Sequence, residues 1–589
     1  MNLWNKIKEV KHLYSLVCLL LLGINLFIVF NYYCEKNNFH VDEQWSYAHS
    51  NSFIGPYIAS AEGNWNRWLP SEAYQKYLTV QPENDFDFSH IYRNLQRDMH
   101  TPLYFMALYT VNYFFPGTFS KWTGGGLNIF LWILTLLAML KLSQKFFNNK
   151  WMALLPVVLF AFSSIGFASV LYIRVYLMQT LFAVCMLNEL CSLLQEKQAT
   201  KKRLFFIGLY STLGMLTSYN SAVFSYIVSC VCGAYLLCVK EYKLLLKLAL
   251  AMFLSVVAFF AVCPYAIKTL TAFGCASVGD GYSLMWHINK VSANLVDGLF
   301  SFHANVFDNA LLSCGTVAAI LLLTGTYAFF AGKNKEKSDE TVVLITLIIA
   351  AMSGYLCYCM PEMWEYNSRY YMLLNPLWAI LIFYAIVKIL HGFGMAQKYA
   401  AALLVLIIGV NSVFADFERT SPYAFHQSKE DVDFINSLKH KKLIAWTGLA
   451  WSNEAASYLW KDSAGFYYIS PQLFIYLEKC EDIVFKLKPI PNYSSLRQGD
   501  YLLIFNSYNK TLYYNPAKKV SKVEVCPDIY KNLSYERTLM IGNVWFDVYK
   551  INGDFLPDYG NAMAVRLRML TKQIDNRSVE VYKFDFSGI

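Results

Sequence analysis

The chain has 589 residues, of which 56% are hydrophobic, 17% aromatic and only 15% charged, with a net charge of +9 and a mean hydropathy of +0.32. A soluble domain carries roughly a quarter charged residues, so the composition excludes water as the main solvent and points to a lipid bilayer. The surplus of bases calls for no nucleic acid, because lysine and arginine gather in the cytoplasmic loops of membrane proteins. The 14 cysteines include no CxxC pair and no Cys/His metal spacing. Most, such as Cys185, Cys232 and Cys238, lie in apolar runs and read as small core residues. Cys480 and Cys526 lie in the polar C-terminal part, where an oxidising compartment would permit a disulfide.

In chain order, Lys6, Lys8 and Lys11 precede an apolar run over 13–33. Its length is that of a membrane span, and no small-x-small cleavage site follows it. It reads as an uncleaved first span with its N-terminus inside. Residues 34–101 then form a long polar outer loop. Within it the aromatic-rich stretches 45–58 and 65–77 read as helices lying on the membrane surface, where tryptophan and tyrosine favour the headgroup zone.

Further apolar segments cover 102–115, 124–140, 151–168, 171–194, 204–217, 219–239, 244–268, 311–331, 341–360, 369–390 and 399–415. Basic connectors mark the inner face: Lys141, Lys145 and Lys150; Lys197, Lys201, Lys202 and Arg203; Lys240, Lys243 and Lys247; Lys333, Lys335 and Lys337; and, more weakly, 391–398. These marks conflict in parity. If 102–115 and 124–140 both crossed, the 141–150 connector would be outside. Segment 102–115 is short and bounded by Pro102 and Pro116, so it is either a partial insertion or a sign that a later boundary is misplaced. The expected architecture is a polytopic α-helical membrane protein of about 11–13 spans, judged by the length a span needs. It occupies residues 1–415. From about residue 416 the apolar runs shorten to strand length, at 442–446, 501–505, 520–525, 544–551 and 578–584, with helical patterns at 428–438 and 454–460. Residues 416–589 therefore read as an extracytoplasmic α/β or β-rich domain, large enough to bury its own core.

Five polar constellations interrupt the apolar pattern. The first is the adjacent pair Asp42-Glu43 just beyond the first span. A held carboxylate can activate a hydroxyl as general base; the alternative is a solvated loop acid. The second is Asp98-Met99-His100-Thr101-Pro102-Leu103-Tyr104, where the chain re-enters the bilayer; Pro102 suits a first helical turn, and an ordinary interfacial helix start is the alternative. The third is Tyr172-Ile173-Arg174-Val175-Tyr176 between two apolar runs. An arginine there must find water, a headgroup or a partner anion, and its fork matches phosphate; the alternative is snorkelling. The fourth is Arg369-Tyr370-Tyr371, which an aromatic belt would also explain. The fifth is Thr217-Ser218-Tyr219-Asn220, which reads equally as a plain outer turn. His287 and His303 show no metal spacing and read as solvated loop histidines.

Taken in chain order, with Thr217-Ser218-Tyr219 before Arg369-Tyr370, the five elements resemble those of the membrane-embedded glycosyltransferases of the GT-C class, in the bacterial branch related to protein O-mannosyltransferases and the lipid A aminoarabinose transferase. The resemblance covers roughly residues 10–390. Thr101 stands where the family often has a proline, and Asn220 follows the Thr-x-Tyr turn without a histidine equivalent. The resemblance implies a polyprenyl-phosphate-sugar donor and a glycan, lipid or protein acceptor, joined at the outer face of the bacterial inner membrane, with the C-terminal domain periplasmic. It implies Asp42 as general base, Arg174 and Arg369 as phosphate ligands, and His100 as a further phosphate contact. Glu43 and Asp98 would orient the acceptor or hold a divalent cation, Mg or Mn, together with Asp42. Tyr104, Tyr176, Tyr219 and Tyr370 would line the substrate. Single displacement would invert the anomeric centre. The competing readings are an O-antigen polymerase or ligase, which places its chemistry in a late loop, and a transporter or flippase, which would carry ionisable groups inside spans and related halves.

Overall fold

The computed structural model describes residues 13–58, 68–98, 100–147, 149–269, 340–359, 368–392, 427–446, 456–469, 484–487, 498–505, 511–514, 521–524, 533–552, 563–574 and 577–585. The apolar segments 311–331 and 399–415, Cys480, Cys526, His287 and His303 lie outside these residues. The chain divides into two compact units. One comprises Met1–Glu35, Leu95–Val111 and Lys121–Ala424; the other comprises Lys36–Asn94, Asn112–Ser120 and Phe425–Ile589.

The first unit is helical. Among the described residues five helices are long and apolar enough to cross a membrane: Leu13–Glu35, Lys121–Ser143, Tyr176–Glu196, Tyr219–Cys238 and Tyr242–Val262. A sixth span results if the bent pair Lys150–Ala161 and Ser164–Leu171 is counted as one. The first helix leaves Leu16, Leu19, Leu20, Phe27 and Phe30 exposed, as a lipid-facing surface requires. Tyr176–Glu196 is the central helix, buried over 78% of its apolar window. Leu103–Tyr113 has 11 residues, so at 1.5 Å per residue it is about 16 Å long, half of a hydrocarbon core. This segment is too short to cross a bilayer as a single straight helix. Lys141 and Lys145 lie at and just beyond the C-terminal end of Lys121–Ser143. There Lys141 meets Glu189 at 3.4 Å and Arg203 meets Glu196 at 2.7 Å.

Of the segments read from hydropathy as spans, 171–194 is the continuous helix Tyr176–Glu196, whereas 151–168 is broken within itself. The chain bends by 64° between Lys150–Ala161 and Ser164–Leu171. Ser163 makes the break: its hydroxyl accepts from Gly166 N–H at 3.1 Å and donates to Phe160 O at 2.8 Å. A broken helix in a bilayer leaves carbonyls that no water can reach, and each must find a donor inside the protein. Asn25 donates to Ala161 O at 2.6 Å, and its own amide oxygen accepts from Trp132 Nε1 at 2.7 Å. Tyr33 donates to Val170 O at 2.7 Å, and Asn128 donates to Val170 O and Tyr172 O at 3.1 and 2.8 Å. The polar residues of the spans thus fix the bend.

The second unit is built on two sheets. Its strands are β1 (Trp68–Leu69), β2 (Lys442–Trp446), β3 (Gly465–Ile469), β4 (Val484–Leu487), β5 (Tyr501–Phe505), β6 (Thr511–Tyr514), β7 (Ser521–Glu524), β8 (Leu533–Ile541), β9 (Val544–Ile551), β10 (Met563–Ile574) and β11 (Arg577–Asp585). One sheet has the order β1-β3-β2-β5-β9-β8, the other β4-β10-β11-β7-β6. In the first, β2 lies parallel to both β3 and β5, and the remaining pairs are antiparallel. Strands buried on both faces read as continuous apolar runs; in β9, Phe546, Val548 and Ile551 are all fully buried. Its edge strand β1 comes from the first polar loop: Trp68 pairs with Tyr467 and Leu69 with Phe466.

The same loop corrects an expectation. Residues 45–58 are not a helix on a membrane surface. The helix is Val41–Asn51, and all of its residues except Trp45 are buried. Its aromatic residues serve packing: Trp45 meets Tyr57 edge-on at 5.8 Å and Tyr47 meets Phe119 at 4.8 Å. Of 65–77, the described part forms β1 and the helix Ser71–Leu78, which buries Tyr74 and Tyr77.

Candidate active site

The acidic pair opens the helix Val41–Asn51. His40 is its cap, extended at φ −67° and ψ 151°. The His40 Nδ1 accepts from Asp42 N–H at 3.1 Å, and the Glu43 carboxylate reaches back to His40 N–H at 2.8 Å. This reciprocal arrangement is a capping box, with acids in the first turn where the helix dipole favours them. Because Nδ1 accepts a hydrogen bond, it carries no proton in this arrangement.

The two acids part company here. Glu43 is wholly buried and its Oε2 lies 3.1 Å from the Nζ of Lys36, also wholly buried. Burial pushes the Lys36 ammonium below its ordinary value, and Glu43 pulls it back up. Lys36 also stands 5.8 Å over the Phe39 ring. Asp42 keeps an 8% exposed side chain whose Oδ2 lies 3.6 Å from His40 Nδ1. Glu43 is therefore an internal tie, and Asp42 is the acid at the rim of the helix.

The remaining candidates belong to the helical unit. The chain leaves Ser164–Leu171 through Tyr172-Ile173-Arg174 and enters Tyr176–Glu196. That helix has Val175 at its cap position and no side-chain cap, so its first N–H groups lie beside Arg174, an arrangement suited to an anion. Arg174 is only 4% exposed. Its guanidinium donates to His100 Nε2 and lies 5.8 Å over the Phe105 ring. The His100 ring is stacked on that same ring at 5.7 Å, and its backbone oxygen accepts from the Tyr265 hydroxyl at 3.0 Å. Asp98 Oδ2 lies 3.8 Å from His100 Nε2. Arg369 donates to the Tyr172 hydroxyl at 3.4 Å and stands 5.2 Å over Tyr370. Tyr172 stacks on Tyr176 at 5.7 Å, and Tyr176 meets Tyr370 edge-on at 6.2 Å.

One cluster thus holds Asp98, His100, Arg174, Tyr176, Arg369 and Tyr370. Two predicted residues stand elsewhere. Tyr104 is fully buried, and its hydroxyl meets Asn128 Oδ1 at 3.4 Å, in the network that fixes the bent pair. Tyr219 opens Tyr219–Cys238 and packs edge-on against Phe259 at 6.4 Å. Three contributors were absent from the sequence-based set. Lys36 could have been found as a lone lysine directly behind the outer end of a span, where the charge bias of membrane proteins does not put one. Tyr172 opens the third constellation but was given no role, and Phe105 carries no signal beyond its neighbours.

Among the described residues no three or more His, Cys, Asp or Glu side chains gather as a metal site would need. Glu43, one of the three acids expected to hold a cation, is tied to Lys36.

No known sequence family and no curated protein matches the chain. Solved structures do. The archaeal oligosaccharyltransferase AglB from Archaeoglobus fulgidus, in complex with an inhibitory peptide and a dolichol-phosphate, is 11% identical with a TM-score of 0.39; the match covers 76% of this chain and 64% of that one. The oligosaccharyltransferase of the same organism in complex with zinc and sulfate is 12% identical with a TM-score of 0.42, covering 85% of this chain and 72% of that one. ArnT from Cupriavidus metallidurans bound to undecaprenyl phosphate is 10% identical with a TM-score of 0.40, covering 91% of this chain and 99% of that one. The chain thus spans less than two thirds of the first of these proteins. At these scores the functional argument rests on the side chains.

Proposed function

We propose that this protein is a membrane glycosyltransferase that moves a sugar from a polyprenyl-phosphate donor to a hydroxyl-bearing acceptor: a cell-surface glycan, a lipid or a protein. The observation that carries the reading is the half-buried cluster around the buried Arg174. Its named side chains bring two guanidiniums and one carboxylate together with an uncapped helix N-terminus and a set of tyrosines. A lipid phosphate at a membrane boundary needs such a surplus of positive charge, fixed in advance and shielded from water.

The roles follow group by group. Arg174 and Arg369 neutralise the phosphate, each by a planar fork that stays charged. Asp98 and His100 hold the Arg174 fork in place, and His100 adds a contact to the phosphate. Asp42 is the general base. The acceptor hydroxyl gives its proton to the Asp42 carboxylate while its oxygen bonds to the anomeric carbon. The bond from that carbon to the phosphate oxygen breaks, and its electron pair stays on the lipid phosphate. One displacement of this kind inverts the anomeric centre. Glu43 takes no part in contact with the acceptor; it is bound to Lys36 inside the protein. The reaction belongs to the outer face of a bacterial inner membrane, with residues 416–589 on the same side.

A transfer assay with a panel of radiolabelled undecaprenyl-phosphate sugars, in membranes from the source cell, decides the matter. The native protein should pass label to a second molecule, and Asp42→Asn should not, while remaining folded and inserted. Full transfer by Asp42→Asn removes the base assignment. No transfer from any donor by intact native protein removes the transferase reading and favours a polymerase, ligase or flippase.

A further inference from the structure

The Asp42 helix begins with donors that its own cap cannot satisfy. A helix start leaves its first N–H groups unpaired. His40 takes care of Asp42 N–H through its ring and of Glu43 N–H through its carbonyl, the latter at 3.0 Å. The N–H of Val41 is bonded instead by Asn543 Oδ1 at 3.0 Å, 502 residues away in sequence. Asn543 belongs to the two-residue loop Gly542-Asn543 that joins β8 to β9. Gly542 leads that loop at φ +67°, a conformation in which any other residue would be strained.

The same loop holds the chain just before the helix. Asn38 donates to Gly542 O at 2.7 Å and accepts from Gly542 N–H at 2.8 Å, and the Asn38 side chain is fully buried. Beyond the helix start, Gln44 Oε1 accepts from Tyr458 N–H at 3.0 Å. Phe39 sits between Phe119 at 4.9 Å and Tyr458 at 5.8 Å. Four hydrogen bonds from the C-terminal sequence therefore close on residues 38–44, on both sides of the acidic pair. Each is buried or half-buried.

We infer that the Gly542-Asn543 turn is a positioning element for Asp42, so that the C-terminal domain sets the geometry of the proposed base and is not merely an appended module. The inference rests on the assignment of Asp42 as base. Asn543 itself touches no reacting atom. It acts through the first turn of the Asp42 helix, whose backbone it caps and whose rotation it fixes. A carboxylate displaced by about 1 Å from its working position loses on the order of a hundredfold in rate, so a missing cap at this point weakens catalysis more than folding.

Two variants and two readouts separate the possibilities. Asn543→Ala removes the acceptor oxygen; Asn543→Asp keeps one and adds a charge that the helix N-terminus favours. Hydrogen exchange of the purified full chain should show faster exchange over residues 38–46 in Asn543→Ala, with the protection restored in Asn543→Asp. Unchanged exchange in Asn543→Ala overturns the brace. In the transfer assay kcat should fall roughly tenfold or more in Asn543→Ala with KM for the lipid donor unchanged, and return in Asn543→Asp. A kcat within twofold of native, or equal losses in kcat in both variants, overturns the positioning role. Native protein that transfers no label defeats the transferase reading and the catalytic half of this inference together, and the exchange result then still decides the brace.

Discussion

The Lys36–Glu43 pair offers a demanding test of the site's internal construction. The two groups are 3.1 Å apart with no exposure on either side. At an effective dielectric of about 20, charges at that distance attract by roughly 5 kcal/mol. Yet burial outweighs Glu43 and leaves the Lys36 ammonium below its ordinary value, so desolvation offsets much of that attraction. Removing one partner strands the other charge and costs roughly 3–5 kcal/mol, whereas replacing both by residues of similar volume is close to neutral. Lys36→Met and Glu43→Gln should therefore each lower the heat-unfolding midpoint of the detergent-solubilised protein, and the double variant should regain most of the loss.

The pH dependence should differ in sign between the two single variants. In Lys36→Met the stranded Glu43 carboxyl has its folded-state value raised, so stability is regained as pH falls toward the ordinary carboxyl range and lost as pH rises. In Glu43→Gln the stranded Lys36 is lowered further. The unfolded chain then binds the extra proton between that lowered value and the ordinary lysine range, and stability is regained as pH rises through this window. Unfolding midpoints followed by tryptophan fluorescence across pH would report both slopes. Additive losses in the double variant, or slopes of the same sign, would refute the account of this pair as an internal tie.

Two further outcomes are expected. Arg174→Lys keeps the charge but loses the fork, so transfer should drop at least tenfold, on the order expected when a bidentate contact becomes a point charge, and kinetics on the lipid donor should place the loss in KM and kcat together; native-like kinetics in this variant would remove Arg174 from phosphate recognition. Asn128→Leu removes one of two donors from each of the carbonyls of Val170 and Tyr172, which keep the Tyr33 hydroxyl and the Arg174 N–H, at about 0.5–1.5 kcal/mol for each bond lost, and should lower the unfolding midpoint without altering the sugar specificity; an unchanged midpoint would mean that the bend holds without these bonds.

Several strands within residues 416–589 were legible because apolar runs of strand length mark buried strands. The patterns at 442–446, 501–505 and 544–551 became β2, β5 and β9 with those same bounds. Ser428 announced its helix, since its hydroxyl caps Lys429–Leu438 through Asp431 N–H at 3.1 Å. The bent pair was not legible, because hydropathy averages over a break that a single serine makes. The helix at Asp42 was misplaced for a related reason: tryptophan and tyrosine pattern a membrane surface and a protein core in the same way. Of the candidate site, the arginines and the acidic pair stood out because charge is rare in so apolar a chain. Lys36 offered only its place directly behind a span, and Asn543 offered nothing, since nothing local announces a partner 502 residues away in sequence.

The edge strand β1 has a consequence for the order in which this protein acquires its structure. Trp68 pairs with Tyr467, so a stretch made early in synthesis waits for a partner made some four hundred residues later. Contacts of such long sequence separation form slowly. Until β3 emerges, the edge that β1 will occupy does not exist, and the segment around it must pass the interval unpaired, in the state where strands are most exposed to wrong partners. A chain halted before β3 would lack the partner that β1 needs, and the polar loop behind the first span is completed only after β3 and the β8–β9 turn have been made.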